Sequence, residues 1–142
     1  MNSDRKTVGI MLDVRIILAV LWVAGMLSSL NGDTYRFNDP VALQALITNT
    51  GAIVVSSGLL LVMSIIFVVP ILMSFLTLTL KYSVSRWANC IVGILFAMVV
   101  LVFWVLGFVF RSAGYEFVWS TAQLVFASLV VWYAWKWPKQ EV

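Results

Sequence analysis

Histidine is absent from the 142-residue chain, and Cys90 is its one cysteine. Without histidine the usual haem ligand, the commonest zinc ligand and the commonest general base are all missing. A single cysteine allows no intramolecular disulfide and no Cys-x-x-Cys pair. Thiol-redox, haem and zinc-hydrolase chemistries are therefore disfavoured, and the residues point to no cofactor, no metal and no assignable catalytic group. Charge is scarce as well. Charged residues make up 11% of the chain, against about a quarter in ordinary soluble domains. No basic run is long enough to suggest nucleic acid.

What replaces charge is hydrocarbon: 63% of the residues are hydrophobic and the mean hydropathy is +1.04. The pattern predicts an all-α, membrane-embedded bundle of four transmembrane helices, with a short interfacial helix after the first, forming one domain over residues 1–142. The spans are expected at about 14–33, 52–80, 87–110 and 117–136.

Residues 1–12 read as a short mobile tail, and Asp13 as the start of the first helix, where a carboxylate complements the helix dipole. Asp13 and Arg15 interrupt a signal-peptide pattern and no small-x-small cleavage site follows, so the segment reads as a retained span. Ile16 to Gly32 is uncharged and gives about 26 Å of helix, nearly the thickness of a hydrocarbon core. It delivers Asn31, Asp33, Tyr35 and Arg36 to the far boundary. Asn38-Asp39-Pro40 is a turn that can start a helix with Pro at its first position. Val41 to Ile47 is too short to cross and reads as interfacial or re-entrant. Ala52 to Leu80 would reach about 43 Å as one helix, and Pro70 inside it removes a hydrogen bond and favours a kink. Lys81 to Arg86 reads as a polar turn with Ser85 as N-cap. Arg111 to Glu116 reads as a second turn.

Seven of the nine Lys and Arg residues fall at the termini and in the Lys81–Arg86 stretch; only Arg36 and Arg111 fall on the other side. The positive-inside rule then puts both termini in the cytoplasm of a multi-pass cell (inner) membrane protein. Tyr35, Tyr115 and Trp119 suit the outer aromatic belt, and Tyr82, Trp87, Trp132, Trp135 and Trp137 the inner one. Lys136 and Lys139 are placed for anionic headgroups.

Asp13-Val14-Arg15, Leu21-Trp22, Gly32-Asp33-x-Tyr35, Arg86-Trp87-x-Asn89, Gly93-Ile94-x-Phe96 and the string Trp132-Tyr133-Ala134-Trp135-Lys136-Trp137-Pro138-Lys139 together resemble a family of small prokaryotic four-span membrane proteins known as a domain of unknown function. The resemblance covers almost the whole chain. It implies four spans in a bacterial or archaeal membrane and no activity.

Helical spacing groups the polar residues. Arg15, Trp22, Met26, Ser29 and Asp33 share one side of the first helix, and Gly25 with Ser29 makes a small-xxx-small step for a close neighbour. Asn89, Gly93, Val100, Trp104, Gly107 and Arg111 share a side of the third span, which its small residues mark as protein-facing. Glu116, Ser120, Gln123 and Ala127 align on the fourth. Ser29, Asp33, Arg111, Glu116, Ser120 and Gln123 can therefore converge at one end of the bundle, with Arg36 and Asn49 able to join them from the loop. This cluster reads either as interhelical glue, with Asp33 paired to Arg111, or as a ligand-binding pocket. Cys90, Ser57 and Ser64 read as packing groups.

Three function classes follow. The first is a non-enzymatic membrane protein binding a partner membrane protein or a small lipophilic ligand at an extracytoplasmic polar pocket. The second is a small oligomeric transporter or proton-coupled exchanger, against which no ionisable residue stands at mid-membrane, where coupling sites usually lie. The third is a lipid-modifying enzyme, for which only Asp33 and Glu116 could supply acid–base groups. Beyond the lipid bilayer itself, a second copy of the chain is a further candidate partner.

Overall fold

The computed structural model describes residues 2–50, 54–110 and 114–137, with side chains from residue 14 onward. Its described residues are helical, without strands: α1 (Asn2–Asn38), α2 (Pro40–Thr48), α3 (Ser57–Thr79), α4 (Tyr82–Val109) and α5 (Gly114–Lys136). Four of these are long and apolar enough to cross a membrane, and they imply a lipid bilayer environment. The short α2 follows the first of them, as the turn at Asn38-Asp39-Pro40 predicts.

Several expected boundaries are corrected. α1 begins at Asn2, so Asp13 lies within the helix and residues 2–12 are not a loose tail. That stretch holds no proline, and continuing the helix through it moves the four open N–H groups of the first turn away from the apolar span. α1 also runs past Asp33 to Asn38. The Asn31, Thr34 and Asn38 side chains donate to the Leu27, Leu30 and Thr34 carbonyls, each four residues back. Bonds of this kind let polar residues stay helical instead of ending the helix. What stops α1 is Pro40: Asp39 before it is extended (φ −84°, ψ 113°), as the proline ring demands.

α3 starts at Ser57 because Ser56 caps it, its hydroxyl accepting from the Leu59 N–H at 3.2 Å. Its 23 residues span about 34 Å, close to the bilayer thickness, so the overlong span of residues 52–80 does not occur. Ala52 itself lies outside the described residues. The helix continues through Pro70, which is buried. α4 begins at Tyr82, so Lys81–Arg86 is mostly helix. Ser85 is not an N-cap: it is fully buried and donates to the Thr77 carbonyl at 3.0 Å.

α1 packs along both α3 and α5, α4 packs along α5, and α3 and α4 touch only sparsely. The core follows this asymmetry. Leu18, Trp22, Met73, Phe96, Val130 and Ala134 are all buried and concentrate in the half of the bundle nearer the α3–α4 connection. Close approach there depends on Gly93, where an added Cβ would lie 3.2 Å from side-chain atoms of both Val130 and Val131. On the α1–α5 seam a Cβ on Gly25 would lie 3.7 Å from the Phe126 Cβ, and one on Gly32 3.2 Å from the Trp119 Cβ. The close neighbour expected at Gly25 is thus α5.

Two arginines finish helices they do not belong to. Arg15 donates to the Leu78 carbonyl in the last turn of α3 at 3.4 Å, and Arg86 to the Trp135 carbonyl near the end of α5 at 3.3 Å. Both place a cation where unpaired carbonyls and the helix dipole favour one. The aromatic string closing α5 divides in use. Trp132 and Trp135 are exposed, Lys136 lying 3.9 Å over the Trp132 ring. Trp137 is instead buried, edge-on to Tyr82 at 5.1 Å, so it is a packing residue rather than a belt anchor.

Candidate functional site

At the other end of the bundle, α3 and α4 part and the interior is hollow. A cavity of about 740 Å³ opens there between α1, α3, α4 and α5, with α2 across its end. Its walls are largely apolar: Leu59, Met63 and Phe67 from α3, and Phe96, Phe103 and Leu106 from α4. Most of the polar lining is on the α1–α5 side, the exceptions being Asn49 at the end of α2 and Ser64 on α3.

Six of the seven candidate residues line this one cavity: Ser29, Asp33, Arg36, Glu116, Ser120 and Gln123. The seventh, Arg111, lies outside the described residues, and so does the Asp33–Arg111 pair. Among the described residues the acid that meets an arginine is Glu116, whose Oε1 is 3.6 Å from the Arg36 Nε. Arg36 is three residues beyond Asp33, the helical spacing that puts both on one face. Two acids and a guanidinium thus gather at the cavity mouth. The Ser120 hydroxyl is turned back to the Phe117 carbonyl at 3.3 Å and is committed to its own helix.

Gln123 is different. It lies seven residues along α5 from Glu116, about 10 Å deeper. Only 8% of it is exposed, and its Nε2 has no hydrogen-bond partner. A buried amide without a partner is uncommon, because an unpaired polar group away from water costs about 1–3 kcal/mol.

Asn49 also lines the cavity, and its role is structural. It ends α2 in the left-handed region at φ 52°, a conformation that asparagine tolerates. Its Oδ1 accepts from the Val55 N–H at 2.8 Å while its Nδ2 donates to the Val55 carbonyl at 3.2 Å, holding the chain that leads into α3.

Two constellations form that spacing along single helices did not reveal. Asp39 accepts from the Val41 and Ala42 N–H groups with one oxygen and from the Tyr115 hydroxyl, at 3.0 Å, with the other. The Tyr115 hydroxyl foremost, then the capped N–H groups, hold the Asp39 carboxyl below its ordinary value. Tyr35 stacks on Trp119 at 5.9 Å beside this contact, so these belt aromatics also tie α1 to α5. The sequence signal was Asp39 before Pro40; its partner Tyr115 is far away in the chain.

The second constellation lies in the packed half. Asn89, fully buried, accepts from the Trp22 indole N–H at 2.8 Å and donates to the Ser85 carbonyl at 2.8 Å. The Thr77 hydroxyl lies 3.1 Å from the same Asn89 oxygen and 2.6 Å from the Met73 carbonyl. α1, α3 and α4 are joined at this point. Trp22 and Asn89 each stood on a face marked as protein-facing or polar, which was the available signal.

Among the described residues no three His, Cys, Asp or Glu side chains gather as a metal site. Comparison of the chain with family models, with curated proteins and with solved structures finds no match.

Proposed function

We propose that this membrane protein receives a small lipophilic molecule into the hollow half of its bundle. The observation that carries the reading is the cavity itself. Its volume of about 740 Å³ falls within the range of about 300–1,000 Å³ typical of ligand pockets. Mostly apolar walls with a few polar groups on one side are also the usual composition of such sites. The sparse contact between α3 and α4 supports entry sideways from the bilayer, and the Asp33, Arg36 and Glu116 group supplies a polar mouth. By the distribution of Lys and Arg, the termini and the α3–α4 connection are cytoplasmic, which sets the cavity in the extracytoplasmic half. The resemblance to small prokaryotic four-span proteins belongs to the same reading.

Photolabelling of the chain in lipid vesicles with a diazirine-tagged alkane tests it. The label should reach Met63, Phe103 and Leu106, and Leu106→Trp, which fills the space, should remove that labelling while leaving the lipid-facing positions unchanged. Label confined to outward residues such as Leu61, Leu72, Leu95 and Leu101 would overturn the reading.

A further inference from the structure

The Gln123 amide is the group in the cavity whose own chemistry is unfinished. It lies near the middle of α5, ten positions into a helix of 23 residues. At that depth water is scarce, and the Nε2, shielded and without an acceptor in the protein, either stays unpaired or is turned toward an acceptor brought by the occupant. A phospholipid entering from the side keeps its headgroup at the interface and presents only methylenes at mid-span. Its chain would fill the volume and leave the amide unsatisfied, at the cost that burying an unpaired polar group always carries.

Resting on the cavity reading above, we propose that the occupant is a neutral lipophilic molecule bearing a carbonyl-type oxygen, which accepts a hydrogen bond from Gln123. Rotation about the last side-chain bond exchanges the amide oxygen and nitrogen with little change in shape, so the N–H₂ can be turned to the cavity face. The surroundings fit such a molecule. Phe67 and Phe96 meet edge-on at 6.5 Å beside the cavity, and Phe103 and Phe117 line it. The phenyl walls offer apolar area and no donor of their own, and the Ser64 hydroxyl is turned to the Leu60 carbonyl at 2.8 Å, so Gln123, with the Ser29 hydroxyl on the same side, sets the depth and orientation of the oxygen. The charged groups at the mouth, about 10 Å away along α5, are left for a more polar end or for water.

The test is competition, in vesicles of one lipid composition, between the diazirine-tagged alkane and two probes: pentadecane and the methyl ketone of the same chain length. With the native protein the ketone should compete at a concentration lower by roughly tenfold, the ratio expected of one buried hydrogen bond. Gln123→Met, nearly equal in volume, should erase that advantage while pentadecane competes as before, which also shows that the variant keeps its cavity. Comparing native and variant protein cancels the different partitioning of the probes into lipid. Equal competition by ketone and alkane in the native protein, or an advantage that survives Gln123→Met, would overturn the role of the amide and leave the cavity reading standing. Competition by neither probe would remove the cavity reading, and this one with it.

Discussion

Asn89 shows how much one polar residue can do inside an apolar bundle. Its oxygen and nitrogen are both used, so the side chain is satisfied while fully buried, and three helices are fixed in relative rotation. In water such a bond nets about 1 kcal/mol; within a membrane the unfolded helices also find partners, and measured couplings average about 0.6 and reach about 1.7 kcal/mol. Asn89→Leu should lower the midpoint of thermal unfolding in detergent, because the indole N–H of Trp22 is left buried with no acceptor. Trp22→Phe should lower it too, partly by disturbing the edge-on contact with Phe96 at 5.7 Å. The double variant should lose less than the sum of the two, by an amount in the range just given. Strictly additive losses would mean that the bond contributes nothing to stability.

At the scale of elements, the short α2 is held by its ends, since it buries no side chain of its own. Asp39 caps its first turn and ties it to α5 through Tyr115, and Asn49 closes its last turn. A pH dependence follows. The Asp39 carboxyl is held below its ordinary value of 3.8, so the ionised form is favoured by the fold. The corresponding stability is present in full above the unfolded value and is lost as pH falls through the lower, folded one. Tyr115→Phe removes the largest cause of the shift. Its unfolding midpoint should therefore lie below that of the native protein at neutral pH, and the gap should close in the acid range below that ordinary value. A gap that stayed constant into that range would show that the tyrosine acts by packing alone.

Over the whole molecule the packing is unequal end to end. One half is close-packed around Trp22, Asn89 and Val130; the other holds the cavity and the charged mouth. The outer surface is covered by exposed aliphatic and aromatic side chains, among them Leu61, Ile65, Leu95 and Val102, which suits a surrounding of lipid. Orientation gives a direct measurement. In a Cys90→Ala background, cysteines placed at the exposed Ser83 and Thr50 lie at opposite ends of α3. A membrane-impermeant maleimide added to intact cells should label Thr50→Cys, and should reach Ser83→Cys only after the cells are opened. Labelling of both in intact cells would contradict a crossing by α3.

Four spans and their polar faces were legible in the sequence because apolar runs of membrane length and a period of 3.6 residues are properties of single helices. The same periodicity put Ser29, Asp33, Glu116, Ser120 and Gln123 on faces that meet around one cavity, and Arg36, expected in the loop, joins them because α1 runs on to Asn38. Helix ends were less legible: Ser85 looked like a cap and Asp33 like a terminus. Whether a polar side chain bonds its own preceding turn or a neighbouring helix depends on what surrounds it. Tertiary structure alone decided that Glu116 faces Arg36, that Asn89 meets Trp22, and that α3 and α4 stand apart. Each is a relation between helices, set by which small residues permit close approach, as at Gly32 and Gly93, and by where the bulky ones prevent it.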